Sequence, residues 1–165
     1  GLYRMETVLD DNKIYIFGGG TPNMVMPFET ITVFNTKKNE YELVHSEPDP
    51  QHGYPTPRRC HGLVQWKRLV VISGGSSADI GRDRRDRSVH VMGDVWAFNL
   101  DTKVWKRMGD LLIPVFFHDA AITEEGQMLI FGGVKDRESL TRTNETQSIW
   151  MGAPSLFSAA LSHVK

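Results

Sequence analysis

Four arginines in one short segment are the residues best suited to bind an anionic ligand. They alternate with Asp83 and Asp86, and they are Arg82, Arg84, Arg85 and Arg87. A guanidinium stays charged at neutral pH and its planar fork of N–H donors matches a carboxylate, so an arginine of this segment could hold a carboxylate ligand. The alternating signs could equally neutralise each other in a solvated loop. The sequence leaves both interpretations open.

Two histidines, His61 and His118, are the residues that could suggest a metal site. They occupy matching positions in a repeated pattern, which favours buried, hydrogen-bonded structural side chains over a pair of metal ligands. The chain has one cysteine and contains no Cys-x-x-Cys, His-Glu-x-x-His or calcium-loop motif. We therefore predict no metal, no cofactor and no catalytic residue, and we rank an enzymatic function last.

The elements that must position these residues are marked by a pair of glycines after an apolar run. The runs are Ile14–Gly19, Leu69–Gly75 and Met128–Gly133, and the first glycines of the pairs stand 56 and 58 residues apart. An apolar strand ending in Gly-Gly, at a period of about 50, is typical of the kelch repeat, whose unit is one blade of a β-propeller. The sequence therefore predicts an all-β, kelch-type propeller.

Each repeat extends into several strands. The second repeat predicts an inner strand at His61–Gln65, followed by strands at Leu69–Ile72, Asp94–Asn99 and Trp105–Arg107. We place blades at residues 1–50, 51–110 and 111–152, the last without its fourth strand, and a short helical tail at 153–165. Three blades are too few to close a propeller, so we expect an incomplete ring whose other blades lie upstream of Gly1.

An aromatic residue stands on each arm of the outer hairpin in the first two repeats. The pairs are Phe34 with Tyr41 and Phe98 with Trp105, and six residues separate the members of each pair. The equal spacing fixes the register of the hairpin, and such pairs are expected to pack between neighbouring blades.

The bulk composition limits the classes of partner. Of the 165 residues, 40% are hydrophobic and 24% are charged, and the formal net charge is −1. This balance is typical of a globular protein and gives no reason to expect nucleic acid or a membrane as a partner. The single cysteine, Cys60, cannot form an internal disulfide. That fits a reducing compartment, so we expect the protein in the cytoplasm, with the nucleus as a further location.

Several motifs together resemble the kelch domain-containing protein 10 family, and the resemblance covers essentially the whole chain. It corresponds to the C-terminal half of that family's members. The motifs are Tyr54–His61, Gly93–Trp96, Phe116–Ala121, Arg142–Trp150 and Pro154–Leu156. The resemblance implies a substrate receptor of a cullin-2 RING ubiquitin ligase that binds client C-termini, often ending in glycine, through the propeller.

The tail at 153–165 is similar to a BC-box, the segment through which such receptors bind elongin C and, with it, elongin B. The BC-box positions fall on Ser155, Leu156, Ala160 and Val164, with Ala160 where cysteine is usual. The last three of these residues are spaced by four, so a helix would place them on one face.

The resemblance also indicates a rim of the client pocket just ahead of each inner strand. Aligned on Met5, His61 and His118, the rim residues are Tyr3, Arg59, Phe116 and Phe117. Neighbours along a strand point to opposite faces, so only one of the two phenylalanines should face the channel. The alternative function is a kelch scaffold for a phosphatase, signalling or cytoskeletal partner, unconnected with ubiquitination. The BC-box-like tail is the feature that would distinguish the two.

Overall fold

The computed structural model describes residues 1–21, 24–77, 90–136 and 140–152. Every regular element in these ranges is a β-strand, and the strands form three antiparallel sheets in chain order and one separate two-stranded sheet. No helix in the described residues is long and apolar enough to cross a membrane. The short helix predicted for the tail falls in 153–165, outside the described ranges.

The first sheet, blade 1, has four strands. In spatial order they are β1 (Glu6–Asp10), β2 (Lys13–Phe17), β5 (Thr30–Asn35) and β6 (Glu40–His45), while β3 (Gly20–Thr21) and β4 (Met24–Val25) form the two-stranded sheet. β5 and β6 pair Phe34 directly with Tyr41, as the spacing predicts, and the centroids of the two rings lie 5.0 Å apart. This aromatic pair lies on the side of blade 1 that faces away from the second sheet.

The second sheet, blade 2, repeats the same four-stranded order. Its strands are β7 (Gly62–Trp66), β8 (Leu69–Ser73), β9 (Asp94–Asn99) and β10 (Trp105–Asp110). The first three lie within one residue of the predicted ranges, while β10 continues three residues beyond its predicted end, through a bulge between Arg107 and Gly109. The third sheet, blade 3, has three strands in the described residues: β11 (Asp119–Ile122), β12 (Gln127–Phe131) and β13 (Thr146–Trp150).

An aromatic cluster fills the junction between blades 1 and 2. Trp105 and Phe98, paired across β10 and β9, pack on Phe17 of blade 1, with ring centroids 6.1 and 5.5 Å from it. All three side chains are fully buried. The prediction that this aromatic pair packs between blades is therefore confirmed, and burial of such large apolar surfaces is the main force joining the two sheets.

An aliphatic cluster fills the junction between blades 2 and 3. Val71 and Ala97 of blade 2 face Met128 and Ile130 of blade 3, and Met151 closes the cluster. Blade 2 is thus covered on both faces, which is why its central strand β8 is buried along almost its whole length.

The glycine pairs lie where the next blade comes closest. Gly18 and Gly74 have φ angles of 60° and 55°, a backbone conformation that residues other than glycine rarely adopt. A Cβ atom on Gly74 would lie 2.4 Å from the carbonyl oxygen of Val115 and 2.9 Å from Cε1 of His118. The repeated glycines are therefore required by contact between sheets as well as by the turn itself.

Candidate functional site

Three equivalent backbone bridges bring the predicted rim residues to the same end of the blades. Tyr3 pairs with Gly20, Arg59 with Ser76, and Phe116 with Val134, in each case across to the segment that follows the glycine pair of the same blade. The inner strands β1, β7 and β11 each begin three residues after the bridged residue. We call Tyr3, Arg4, Arg59, Phe116 and Phe117 the rim cluster.

The second residue of each rim segment has an unusual backbone conformation. Arg4, Cys60 and Phe117 have φ angles of 58°, 58° and 55°. Left-handed conformations of residues other than glycine are unfavourable, and they are concentrated at functional sites. Hydrogen bonds between blades support them here: the Cys60 N–H donates to the Arg4 carbonyl at 3.3 Å, and the Phe117 N–H to the Cys60 carbonyl at 3.0 Å.

Arg59 lies in the rim cluster but is only 7% exposed. Its Nη1 donates to the Tyr3 hydroxyl at 2.8 Å and to the Thr21 carbonyl at 3.4 Å. The guanidinium carbon also lies 5.7 Å from the centroid of the Tyr3 ring. These contacts make Arg59 the residue that fixes the position of Tyr3, with little surface left for a ligand.

Arg4 is the exposed cation of the cluster, and the sequence-based selection of rim residues did not include it. Its guanidinium carbon lies 5.2 Å from the centroid of the Tyr3 ring and 4.8 Å from that of Phe117. Nη1 is 3.8 Å from Sγ of Cys60. A usable signal was present in the sequence, because Arg4 aligns with Cys60 and Phe117 in the position directly before Met5, His61 and His118.

The two phenylalanines of the rim behave differently, as expected from the sequence. Phe116 is buried and packs with Cys60 and Val134, while Phe117 is 51% exposed. Their ring centroids are 5.2 Å apart. Phe117 therefore provides the exposed apolar surface beside Arg4, and the buried Phe116 ring packs against the Phe117 ring. Burial raises the pKa of the neighbouring Cys60 thiol, so that side chain has the character of an apolar filler.

Two acidic residues follow the rim segments of blades 1 and 3 by two positions. Glu6 begins β1 and Asp119 begins β11, at equivalent positions of blades 1 and 3. Burial raises the pKa of Glu6, and the negative charge of Asp119 raises it further. A ligand carboxylate is therefore disfavoured beside Glu6 and Asp119, and favoured at the exposed guanidinium of Arg4.

The two histidines pack at the junctions between blades, His61 against Gly18 of blade 1 and His118 against Gly74 of blade 2. His61 is buried and its ring nitrogens have no hydrogen-bond partner, whereas Nε2 of His118 lies 3.0 Å from Oγ of Ser73. The expected hydrogen bond is thus present at His118 and absent at His61. No group of three or more His, Cys, Asp or Glu side chains in the described ranges is placed to hold a metal ion.

Two sets of predicted site residues fall outside the described ranges. The arginines Arg82, Arg84, Arg85 and Arg87 lie in 78–89, and the BC-box positions Ser155, Leu156, Ala160 and Val164 lie in 153–165. Their roles stay predictions from the sequence.

Comparison with known proteins supports the fold and indicates relatives. Residues 2–151 match the KLHDC2/KLHL20/DRC7 Kelch-repeats domain. The chain is 36% identical over 159 residues to Kelch domain-containing protein 10 of Homo sapiens, covering 96% of this chain and 34% of that protein. It is 32% identical to the Drosophila melanogaster homolog, covering 94% of this chain and 27% of that protein. The chain thus spans about a third of the length of the curated relatives it matches.

A solved structure shows the same architecture at low sequence identity. The chain aligns with the structure of YjhT at a TM-score of 0.64 and 13% identity, covering 88% of this chain and 42% of that one. This likeness bears on the fold alone. Together with the domain match, it confirms the predicted all-β, kelch-type propeller blades.

Proposed function

Because the chain belongs to the KLHDC2/KLHL20/DRC7 Kelch-repeats domain family, we propose that it recognises client proteins for a cullin-2 RING ubiquitin ligase. In this proposal the rim cluster holds the C-terminus of the client, which ends in glycine, and the tail at 153–165 binds elongin C. The coarser role, a kelch-repeat module for protein interaction, accords with the relatives and does not depend on the ligase.

The observation that carries the proposal is the exposed guanidinium of Arg4 between two aromatic rings. Its N–H fork can bind a carboxylate through two parallel hydrogen bonds, and stacking beside Tyr3 and Phe117 limits its conformations before the ligand arrives. A terminal glycine places its carboxylate against the rim with no side chain between them. Glu6 and Asp119 repel the carboxylate from positions deeper in the channel.

The test of client capture compares two forms of one probe, a fluorescein-labelled alanine-rich decapeptide ending in glycine. The form with a free carboxylate should bind more tightly than the amidated form, and Arg4→Gln should weaken binding of the free form about tenfold or more, since a hydrogen bond to a charged group contributes about 1.5–3 kcal/mol. Arg107→Gln is the matched control, because Arg107 lies on the outer strand and pairs with Asp110. Equal affinity for both peptide forms would refute carboxylate capture.

Elongin binding is tested separately, because that part of the proposal is supported by sequence resemblance alone. Leu156→Arg should abolish pull-down of the elongin B/elongin C complex, since it places a charge at the leucine position of the BC-box. Ser158→Arg is the control, because helical spacing places residue 158 away from the face of Leu156, Ala160 and Val164. Undiminished pull-down by Leu156→Arg, together with retained peptide binding, would instead favour the scaffold function.

A further inference from the structure

A hydrogen bond between Arg59 and Tyr3 crosses from blade 2 to blade 1 at the rim. Nη1 of Arg59 donates to the Tyr3 hydroxyl oxygen at 2.8 Å. A phenolic hydroxyl can both accept and donate a hydrogen bond, whereas a guanidinium can only donate. The hydroxyl is therefore the acceptor in this contact, and its own hydrogen is left for a different acceptor.

No acceptor for that hydrogen lies among the residues that the structure describes. There, the Tyr3 hydroxyl makes only the hydrogen bond from Arg59. The hydroxyl of Tyr54, by contrast, donates to the Ser46 carbonyl at 2.8 Å and so uses its hydrogen inside the protein. Tyr3 is only half-buried, and its hydroxyl hydrogen can turn toward a molecule bound at the rim.

The two neighbouring buried arginines differ in how their charge is balanced. Arg58 is fully buried and pairs with the Asp94 carboxylate at 2.7 Å. Within the described ranges, the guanidinium of Arg59 donates to two uncharged oxygens, the Tyr3 hydroxyl and the Thr21 carbonyl. A buried charge is unfavourable unless an opposite charge compensates it. An anion bound at the rim would supply part of that compensation for Arg59.

The ring of Tyr3 connects the buried Arg59 to the exposed Arg4. The guanidinium carbons of Arg59 and Arg4 lie 5.7 and 5.2 Å from the centroid of this one ring. An anion bound to Arg4 therefore lies beside the ring that carries the hydroxyl. A carboxylate has two oxygens with several lone pairs, so it can accept from Arg4 and from the Tyr3 hydroxyl together.

We propose that Arg59 is a positioning residue: it occupies the acceptor side of the Tyr3 hydroxyl and thereby directs the hydroxyl hydrogen to the client carboxylate held by Arg4. This inference rests on the proposed function and assigns a separate role to each residue. Arg4 binds the carboxylate, Tyr3 donates a further hydrogen bond to it, and Arg59 acts through Tyr3 without contacting the client. A hydroxyl that accepts from a cation is also a stronger donor, because hydrogen bonds in a chain polarise one another.

The decapeptide with a free or an amidated terminal glycine also tests the role of the hydroxyl. Tyr3→Phe keeps the ring beside Arg4 and removes the hydroxyl alone. It should weaken binding of the free acid about tenfold or more, the usual effect of losing one hydrogen bond to a charged group, and should change binding of the amidated form much less. Tyr54→Phe is the matched control, because its hydroxyl donates within the protein. That variant should keep the preference for the free acid.

A double-mutant cycle tests whether Arg59 acts through this hydroxyl. Arg59→Gln should weaken binding of the free acid in the parent chain, and its effect should be smaller by about threefold or more in the Tyr3→Phe background. Arg59→Lys should retain most of the preference for the free acid, since an ammonium also donates to a hydroxyl. A purely structural role of Arg59 would give the same loss in both backgrounds.

The outcomes separate this inference from the proposed function. Equal affinity of the parent chain for the two peptides overturns both. A preference for the free acid that Arg4→Gln removes and Tyr3→Phe leaves intact overturns this inference alone, and equal losses from Arg59→Gln in the two backgrounds overturn the positioning role. Circular dichroism checks the folding of each variant. If Arg59→Gln does not fold, the other two variants decide: Tyr3→Phe must lose the preference and Arg59→Lys must keep it.

Discussion

Arg58 is a fully buried charge that joins the start of blade 2 to its third strand. Its Nη1 and Nη2 each donate to one carboxylate oxygen of Asp94 at 2.7 Å, and Nη1 also donates to the Gly74 carbonyl. Burial by itself raises the pKa of Asp94, but the guanidinium outweighs it and holds that pKa below the usual range. The equivalent positions in blades 1 and 3 are Leu2 and Val115, so blade 2 alone carries this pair.

Replacing Arg58 by methionine should lower the free energy of unfolding by about 3–5 kcal/mol, because it leaves the half-buried Asp94 carboxylate with Trp96 Nε1–H as its side-chain donor. Urea unfolding followed by tryptophan fluorescence measures this loss. Arg107→Met is the control: its pair with Asp110 is exposed to solvent, and such pairs contribute less than about 1 kcal/mol. If both variants lose a similar free energy of unfolding, the buried pair contributes no more to stability than the exposed one.

At the scale of elements, the strand–glycine–glycine unit sets how closely one blade approaches the next. Gly74 lies under the Val115 carbonyl and the His118 ring, both from blade 3. Gly53 has a similar left-handed conformation, with a φ angle of 73°, but has no atom within 4 Å of the Cβ position. The two glycines therefore separate the effect of backbone strain from that of contact between sheets.

Gly53→Ala should cost about 1–2 kcal/mol, the strain of a left-handed alanine. Gly74→Ala should cost about 1–3 kcal/mol more than that, because the added methyl group pushes blades 2 and 3 apart. Thermal or urea unfolding of the two variants gives the difference. If both variants lose the same stability, the glycine pair serves the turn only and the close approach contributes nothing.

At the scale of the whole molecule, the junction of blades 1 and 2 contains the buried His61, and the junction of blades 2 and 3 contains the partly buried His118. Burial, together with the charges of Arg58 and His118, lowers the pKa of His61 to about 3. Burial lowers that of His118 to about 4. Both side chains are neutral in the folded protein at pH 5, where the unfolded chain, with a usual value near 6.5, binds protons more strongly.

Stability should therefore fall as the pH decreases below about 6.5, by up to about 1.4 kcal/mol per pH unit for each histidine, until the folded pKa values are reached. Urea unfolding at intervals between pH 7 and pH 5 measures the slope, in a range where most carboxylates stay ionised. The double variant His61→Gln/His118→Gln should show a much flatter profile. An unchanged slope in that variant would assign the acid sensitivity to other groups.

Much of the fold follows from the sequence because local rules agree with it. The strand Asp94–Asn99 has the predicted bounds, and the aromatic pairs Phe34–Tyr41 and Phe98–Trp105 lie directly opposite each other. Loop length and strand alternation determine these features without reference to the rest of the chain.

The rim cluster is less predictable, because its geometry depends on contacts between blades. The buried Arg59 donates a hydrogen bond to the hydroxyl of Tyr3, which lies 56 residues earlier in the chain. Arg4 and Cys60 share the same left-handed φ angle of 58°, yet Arg4 is exposed and Cys60 is buried, so the exposure depends on the packing between blades. Neither a hydrogen bond of such separation nor an unfavourable conformation of arginine has a local sequence signal.

The hydrogen-bonded series at Arg4, Cys60 and Phe117 has a consequence for how such a rim can diverge. The three positions share one backbone conformation and one set of backbone contacts, yet they carry a cation, a thiol and an aromatic ring. The hydrogen bonds that join the three segments are made by backbone atoms alone. Substitutions at these positions can therefore change the charge and polarity of the rim without removing the hydrogen bonds that join the blades.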